Sequence, residues 1–331
     1  MKGRVILTLN IGIIGTGYFS KFHAAILSEM TDVKITAICG TSSEKASAMA
    51  SEFTDATGYH NLVDMLDAEH LDAVYICVPP MGHGEIELEL IKRDIPFLVE
   101  KPLGNELETP MAILKGIREK DLLTSVGYHY RYSESVSSLK REVDGQNIGI
   151  ALGQWMGEMP TVPWWREQSH SGGQFLEQTT HIVDLLRYVC GEVDEVQAVF
   201  AGNILAKKDK SVTVADVGTV TMKLRNGIIA NISNTCILPD SIGKTGISLY
   251  TDQGLFDWSP GCLAVTAVGE KFEIMDSINP YQTESEAFIH AVRTGDRSGV
   301  LSDYEDSFKT HQVTCAALES AFKNTSVKLS L

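Results

Sequence analysis

None of the six cysteines, Cys39, Cys77, Cys190, Cys236, Cys262 and Cys315, stands in a C-x-x-C pair, and the nine histidines show no short paired spacing. No metal site stands out from such a scatter. Free buried thiols in a reducing cytosol are the expectation for the cysteines, and a cytoplasmic protein with it. Nowhere does an apolar run approach the roughly 18 residues of a membrane span. Phosphate-binding G-x-x-x-x-G-K and a nucleophile elbow are both missing, as are internal repeats and low-complexity stretches. Basic residues are scarce: 28 Lys+Arg stand against 43 Asp+Glu, a formal net charge of −15. Such a surface repels polyanions, which argues against nucleic acid or an anionic membrane as partner. Anionic ligands must then be held by local devices such as helix N-termini.

What remains is an ordinary soluble composition, 44% hydrophobic and 21% charged over 331 residues, long enough for two domains with a sizeable core. At the N-terminus, Met1 to Arg4 followed by Val5 to Leu9 imitates a signal peptide. It runs straight into a glycine turn without a small-residue cleavage site, so it reads as the first strand with a short leader. Up to about residue 127, apolar strands alternate with helices. Expected strands are 10–14, 33–39, 71–78, 96–99 and 123–127; expected helices are 18–30, 43–53, 61–66, 84–92 and 109–120. Near-continuous apolar strands in that alternation predict a parallel sheet covered on both faces. From residue 128 the β-type runs lengthen: 149–156, 193–205, 213–224, 228–237, 245–251 and 255–257. Asn226-Gly227 marks a hairpin, and helices over 284–293 and 304–324 close the chain. The expected fold class is α/β: a Rossmann domain over 1–127, then an α/β domain with a mainly antiparallel open sheet over 128–331.

Gly15-Thr16-Gly17-Tyr18-Phe19-Ser20 fits G-x-G-x-x-[G/A/S] between a strand and a helix. The first glycine permits the tight turn, the second lets a pyrophosphate approach the backbone, and the helix N-terminus offers N–H donors. A lone G-x-G is often only a turn; its place here points to a dinucleotide. Such folds carry an acid about 20 residues on for the ribose 2′-hydroxyl, and here the second strand ends Cys39-Gly40-Thr41-Ser42-Ser43. Thr41, Ser42 and Lys45 could donate to a 2′-phosphate, although no arginine is present. The cofactor is NADP or NAD, with a lean to NADP.

Further along lie Val78-Pro79-Pro80 with His83, then Glu100-Lys101-Pro102, then Tyr128-His129-Tyr130-Arg131, and finally Glu177-Gln178-Thr179-Thr180-His181-Ile182-Val183-Asp184. With the glycine turn and His23 behind it, these blocks resemble the Gfo/Idh/MocA oxidoreductase family over nearly the whole chain. Three positions depart from that family's usual pattern: Glu177 stands for an aspartate, Thr179 for a glycine and His129 for an asparagine. The resemblance implies a dehydrogenase acting on a sugar, polyol or related cyclic substrate, assembled as a homodimer or homotetramer. It places Lys101 beside the nicotinamide and the reacting hydroxyl, where an ammonium stabilises a developing alkoxide or relays its proton. Tyr18, Phe19, Val78, Pro79, Pro80, His83, Glu100 and His129 join the cofactor-binding set, with Glu100 holding backbone or cofactor groups.

On the helix after residue 180, Ile182, Leu185, Leu186 and Val189 form an apolar stripe, while His181, Asp184 and Tyr188 share another face. That spacing suits an imidazole acting as acid/base with a carboxylate alongside. Its plainer reading is a helix-start histidine with a polar neighbour. The expected catalytic set is Lys101, His181 and Asp184. Tyr128, Trp165, Arg166 and Glu177 are the expected substrate contacts. Plainer readings exist for each: a solvated strand-end lysine, a helix-start His83, core aromatics, and a Glu177 that merely complements the helix dipole. Two rival functions remain open, an enzyme using tightly held NAD for transient oxidation in glycoside cleavage or epimerisation, and a non-enzymatic cofactor-binding regulator.

Overall fold

The computed structural model describes residues 8–202 and 204–329. The leader and the Val5–Leu7 part of the first-strand reading lie outside them, as does Asn203 within the expected strand 193–205. Packing divides the chain into two units, one comprising the chain up to Leu103 with Glu108–Gly127 and Tyr281–Tyr304, the other Gly104–Leu107, Tyr128–Pro280 and the chain from Glu305 onward.

The first unit contains β1 (Leu9–Ile14), α1 (Tyr18–Ser28), β2 (Val33–Cys39), α2 (Ser43–Ala50), β3 (Thr57–Tyr59), α3 (Leu62–Ala68), β4 (Ala73–Ile76), α4 (Glu85–Lys92), β5 (Phe97–Val99), α5 (Glu108–Lys120) and β6 (Thr124–Val126). Its six strands lie in the order β3-β2-β1-β4-β5-β6, all parallel. This is the doubly wound order of a Rossmann sheet, in which ligands bind outside the carboxyl ends of the strands. β4 and β5 are buried along their whole length, as helices on both faces require. One of the covering helices is supplied late in the chain, over Pro280–Thr294. Its Phe288, Ile289 and Ala291 belong to the same core as Ile11, Ile13, Leu27 and Leu98, with Phe288 edge-on to Tyr75 at 5.7 Å. The following segment then covers the sheet edge: Val126 donates its N–H to the Ser302 carbonyl and Ser302 Oγ donates back to the Val126 carbonyl, both at 2.8 Å.

The second unit runs through α6 (Glu134–Glu142), β7 (Ile148–Met156), α7 (Gln168–Ser171), α8 (Gln174–Glu177), α9 (Thr180–Cys190), β8 (Val193–Ala201), α10 (Leu205–Lys208), β9 (Val217–Leu224), β10 (Ile229–Thr235), β11 (Lys244–Thr251), β12 (Gly254–Ser259), β13 (Cys262–Ala267) and β14 (Glu270–Met275). After α11, the Pro280–Thr294 helix already described, come α12 (Tyr304–Lys323) and β15 (Val327–Lys328). The nine strands form one sheet in the order β14-β13-β12-β11-β7-β10-β9-β8-β15. Among the described residues every pair in it is antiparallel except β7 with β10. β9 alternates strictly between exposed and buried, the signature of a sheet covered on one face. Ile182, Leu185 and Leu186 of α9 and Val313, Ala316 and Ala317 of α12 pack in the same core as Val220, Met222 and Leu249 of that sheet. Ile150, Leu152, Ile229 and Tyr250 are exposed on its strands.

The expected strand over 193–205 stops at Ala201, and a short helix, α10, occupies its end. The expected strand over 213–224 starts only at Val217, because Thr213 and Val214 donate their N–H groups to the Arg166 carbonyl instead. Asn226-Gly227 does turn β9 into antiparallel β10, with Gly227 at φ 91°.

Candidate active site

In the first unit, two glycines at the end of β1 are required for different reasons. Gly15 has φ 111°, and a Cβ on it would lie 2.2 Å from the Cys77 carbonyl oxygen; the chain itself excludes a side chain. Gly17 is extended, at φ −84° and ψ −168°, and caps α1, and a Cβ there would meet no atom within 4 Å. Nothing in the protein demands glycine at 17, but a phosphate group approaching the α1 N-terminus would. A dinucleotide therefore fits this turn. Ser20, in the place of the third glycine, is fully buried; burial pushes the Cys77 thiol well up, with the Glu100 charge adding to it. Tyr18 and Phe19 begin α1 with exposed rings.

At the end of β2, a side chain on Gly40 would press against the Thr16 methyl at 2.8 Å. Ser42 caps α2 by accepting from the Lys45 N–H at 3.3 Å. Glu44, to which the sequence reading gave no role, lies in the same turn. Hydrogen bonds from its own backbone N–H and from the Ser42 hydroxyl hold its carboxyl below the usual range. The strand end that lacks an acid at 40 is thus followed by an ionised one at 44, in the first turn of α2.

β5 delivers Glu100 and Lys101. Glu100 donates its N–H to the Ile76 carbonyl at 2.8 Å, which aligns the turn with the end of β4. Its carboxylate is buried: Oε1 meets His23 Nε2 at 2.8 Å and Oε2 accepts from the Lys101 N–H at 3.2 Å. A Cβ on Gly127 would fall 2.8 Å from that carboxyl group, so the residue after β6 must be glycine for Glu100 to sit there. The Lys101–Pro102 bond is cis. After β4, Pro79 and Pro80 lead into a short 3-10 turn. His83 behind it is locked into the α4 cap, with Nδ1 2.6 Å from Glu87 Oε1 while Glu87 Oε2 accepts from the Gly84 N–H at 2.7 Å. Burial opposes the Glu87 charge, but His83 and the Gly84 N–H outweigh it and hold that carboxyl below its usual range. His83 thus takes part in the α4 cap through Nδ1.

In the second unit, the first turn of α9 carries His181, which is 5% exposed and enclosed by aromatic rings. His129 lies 4.9 Å away edge-on, Tyr130 at 5.2 Å, Tyr128 at 5.9 Å, and Trp155 stacks at 5.8 Å with an interplanar angle of 18°. Tyr128 is held by its hydroxyl against Thr180 Oγ1 at 2.9 Å. Burial pushes the Tyr130 phenol up to about 12, and burial with the Asp184 charge raises Tyr128 as well. Neither phenol ionises near neutral pH, and the cluster holds two imidazoles, His129 and His181.

Asp184 does not stand as a carboxylate alongside His181. Its Oδ2 accepts from Arg131 Nε at 2.7 Å and its Oδ1 from Arg131 Nη2 at 2.6 Å, and Thr310 Oγ1 donates to Oδ1 at 2.8 Å. Helical spacing put the two residues on one face; it could not show that an arginine 53 positions back claims both oxygens. Arg131 also meets Asp306 at 2.7 Å. Glu177, four residues before His181, accepts from the Trp165 indole N–H at 2.8 Å. Trp165 itself is 1% exposed and packs with Val212, Val214 and Cys236, so it forms a small core rather than an open wall. Arg166 pairs with Asp209 at 3.1 Å. Among the described residues no group of three or more His, Cys, Asp or Glu could hold a metal ion.

Residues 9–128 match the model of the oxidoreductase family with an NAD-binding Rossmann fold, and residues 146–256 match the Gfo/Idh/MocA C-terminal domain. The chain belongs to the Gfo/Idh/MocA oxidoreductase family. One curated member, the myo-inositol 2-dehydrogenase of Thermotoga maritima, is 24% identical over 342 residues, 97% of this chain and 98% of that one. A glucose-6-phosphate 3-dehydrogenase of Bacillus subtilis is 25% identical over 70% of this chain and 69% of its own. Among solved structures, levoglucosan dehydrogenase in complex with NADH and levoglucosan superposes with a TM-score of 0.85 at 20% identity, covering 97% of this chain and 99% of that one. At that identity the likeness establishes the fold. Within this Gfo/Idh/MocA oxidoreductase, the sequence blocks that carried the resemblance are the ones that build the two clusters above.

The two glycines give a contrast that can be measured. Gly15→Ala is expected to destabilise the protein by about 1–3 kcal/mol, since a strained φ and a backbone clash must both be relieved. Gly17→Ala is expected to unfold at the wild-type urea midpoint yet lose binding of NADH followed by nicotinamide fluorescence. Equal stability losses for both variants would refute this division. A second expectation concerns acid. Burial opposes the Asp306 charge, but Arg131 and Arg187 outweigh it and lower that carboxyl to about 2. The folded value lies below the unfolded one of about 3.9, so this stabilisation is present above pH ~4 and lost as pH falls towards 2. Asp306→Asn should be less stable than wild type at pH 6 by circular dichroism, and the difference should shrink as both approach pH 2.

Proposed function

We propose that this chain is an NAD-dependent dehydrogenase that oxidises a hydroxyl carbon of a sugar, polyol or related cyclic alcohol, or reduces the corresponding ketone. The observation that carries the proposal is the Glu100–Lys101 turn. A buried carboxylate fixed on two sides presents the next residue, a lysine, at the carboxyl edge of a dinucleotide-binding sheet. The names of relatives that act on inositol, glucose 6-phosphate and levoglucosan support the substrate class.

Oxidising an alcohol removes a hydride from carbon and a proton from oxygen; a bound nicotinamide accepts the hydride. The Gly15–Gly17 turn and the α1 N-terminus hold the pyrophosphate. Lys101 binds the reacting hydroxyl oxygen, and its ammonium favours the charge that develops there. His181 takes the hydroxyl proton on its imidazole and returns it in the reverse direction. Glu177, with one oxygen held by the Trp165 indole, orients neighbouring substrate hydroxyls through hydrogen bonds. For the cofactor, the missing acid at position 40 favours NADP, but a 2′-phosphate beside Thr41, Ser42 and Lys45 would also face the ionised Glu44, and like charges repel. NAD is therefore the proposed cofactor.

Lys101→Ala and His181→Asn should each lower kcat by about 10²–10⁴ in a screen of polyols and sugars with NAD, read as NADH formed. Turnover of any substrate at wild-type rate by either variant would remove that residue from the mechanism. Product formation with no net NADH would instead point to transient oxidation by a retained cofactor. In fluorescence titrations NADH should bind more tightly than NADPH, and Glu44→Gln should narrow the gap. Tighter binding of NADPH by the wild type would reverse the cofactor assignment.

A further inference from the structure

Asp184 and Arg131 are among the most deeply buried charges of the second unit, at 1% and 3% exposure. Such a pair is weak evidence for stability, because desolvating both ions consumes most of their attraction. What a bidentate pair does supply is one defined geometry. Here it joins two elements that each carry a ring of the aromatic cluster. Asp184 lies one helical turn beyond His181 on α9. Arg131 lies two residues beyond His129 in the 3-10 turn His129–Tyr132. When the guanidinium engages both Asp184 oxygens, that turn is fixed against the first turn of α9, and the His129 and His181 rings meet at 4.9 Å.

The far side of the pair is anchored just as firmly. Arg131 Nη1 meets Asp306 of α12, and Thr310 of the same helix donates to Asp184. Arg187, one turn further along α9 than Asp184, donates to Thr310 Oγ1 at 2.6 Å and to Asp306 Oδ1 at 3.0 Å, and it pairs with Glu192 at 2.9 Å. Lys309 approaches both Glu192 and Asp306 at 3.7 Å. Arg131, Arg187 and Lys309 thus face Asp184, Asp306 and Glu192, with Lys140 close enough to act on Arg131 and Asp306 as well. Among the described residues Asp184 makes no hydrogen bond to His181.

We infer that Arg131 and Asp184 are positioning residues for His181: their bidentate pair sets the orientation in which α9 presents the imidazole to the substrate. This rests on His181 being the acid/base of the proposed reaction. The distinction from a merely stabilising ion pair is that the imidazole environment should change even where the fold survives.

The test reads the His181 ring directly, without substrate. The probe is the Cε1–Hε1 resonance of ¹³C-histidine-labelled full-length protein, assigned by its loss in His181→Gln. Arg131→Lys keeps the charge but has no bidentate fork, and Asp184→Asn keeps the shape but removes the charge. In both, the His181 resonance should move as the surrounding rings reorient, while the His23 and His83 resonances of the first unit stay in place. A His181 resonance at its wild-type position in variants with native near-ultraviolet circular dichroism would overturn the inference. If either variant loses that signal, Thr310→Val removes one hydrogen bond from Asp184 and leaves both charges. It should give a smaller displacement in the same sense, and no displacement would again overturn the inference. Because the readout needs no turnover, its failure is separate from that of the dehydrogenase reading, which rests on the activity of Lys101→Ala and His181→Asn.

Discussion

A carboxylate buried just past the end of a strand must find its hydrogen bonds within the protein. Glu100 meets that demand with three neighbours. An imidazole from α1 and the backbone N–H of the next residue contact its oxygens, and a glycine after β6 leaves room for the group. Each neighbour comes from a different part of the sheet's carboxyl edge. The position of one buried charge therefore ties the nucleotide-binding helix, the lysine turn and the end of the last parallel strand together. His23 and Gly127 can be understood only through it. Replacing either would leave a charge without its partner or press a methyl group into it, although neither residue need touch a ligand.

The second unit treats buried charge differently. Around Arg131 the protein sets cations against anions and uses directional bonds to lock helix against turn. Around Glu100 it uses an imidazole, a backbone N–H and steric room. Both arrangements place a residue of the proposed chemistry next to a buried, hydrogen-bonded group: Lys101 follows Glu100 in sequence, and His181 precedes Asp184 by one helical turn. In each case the fixed group is buried and the residue it places carries the chemistry proposed here, a division of labour suited to preorganised sites.

Much of this could be read from the chain alone. The alternation of apolar strands and helices up to residue 127 was legible because parallel strands covered on both faces leave continuous apolar runs, and helix caps such as Ser42 leave local marks. The nucleotide turn was legible because its glycines answer steric demands two residues apart. α6 was not foreseen: Glu134-Ser-Val-Ser-Ser-Leu-Lys-Arg-Glu is rich in serine, and the helix depends on Ser133 accepting from the Val136 N–H and on its packing against the sheet. β13 and β14 went unread because each is only six residues long, and β14 mixes charged with apolar residues. Among the proposed site residues, Lys101, His181 and Glu177 were visible as motif positions. The true partners of Asp184, Glu177 and Glu100 were not, because they lie 53, 12 and 77 residues away and no local period encodes such distances. Trp165 shows the limit well: its composition suggested a sugar-facing ring, and only tertiary packing reveals an indole spent on a carboxylate.

The helix Pro280–Thr294 and the strand-edge cover at Ser302 complete a sheet whose strands all lie before residue 127. During synthesis those strands emerge first, yet their core lacks Phe288 and their last edge lacks its cover until some 150 intervening residues of the other sheet have been made. For that interval the nascent first half exposes an unpaired parallel edge and part of an apolar face, the features that invite mispairing. The order of translation and the order of folding therefore cannot coincide in this protein. The vulnerable stage falls on the ribosome, between the making of β6 and the arrival of α11.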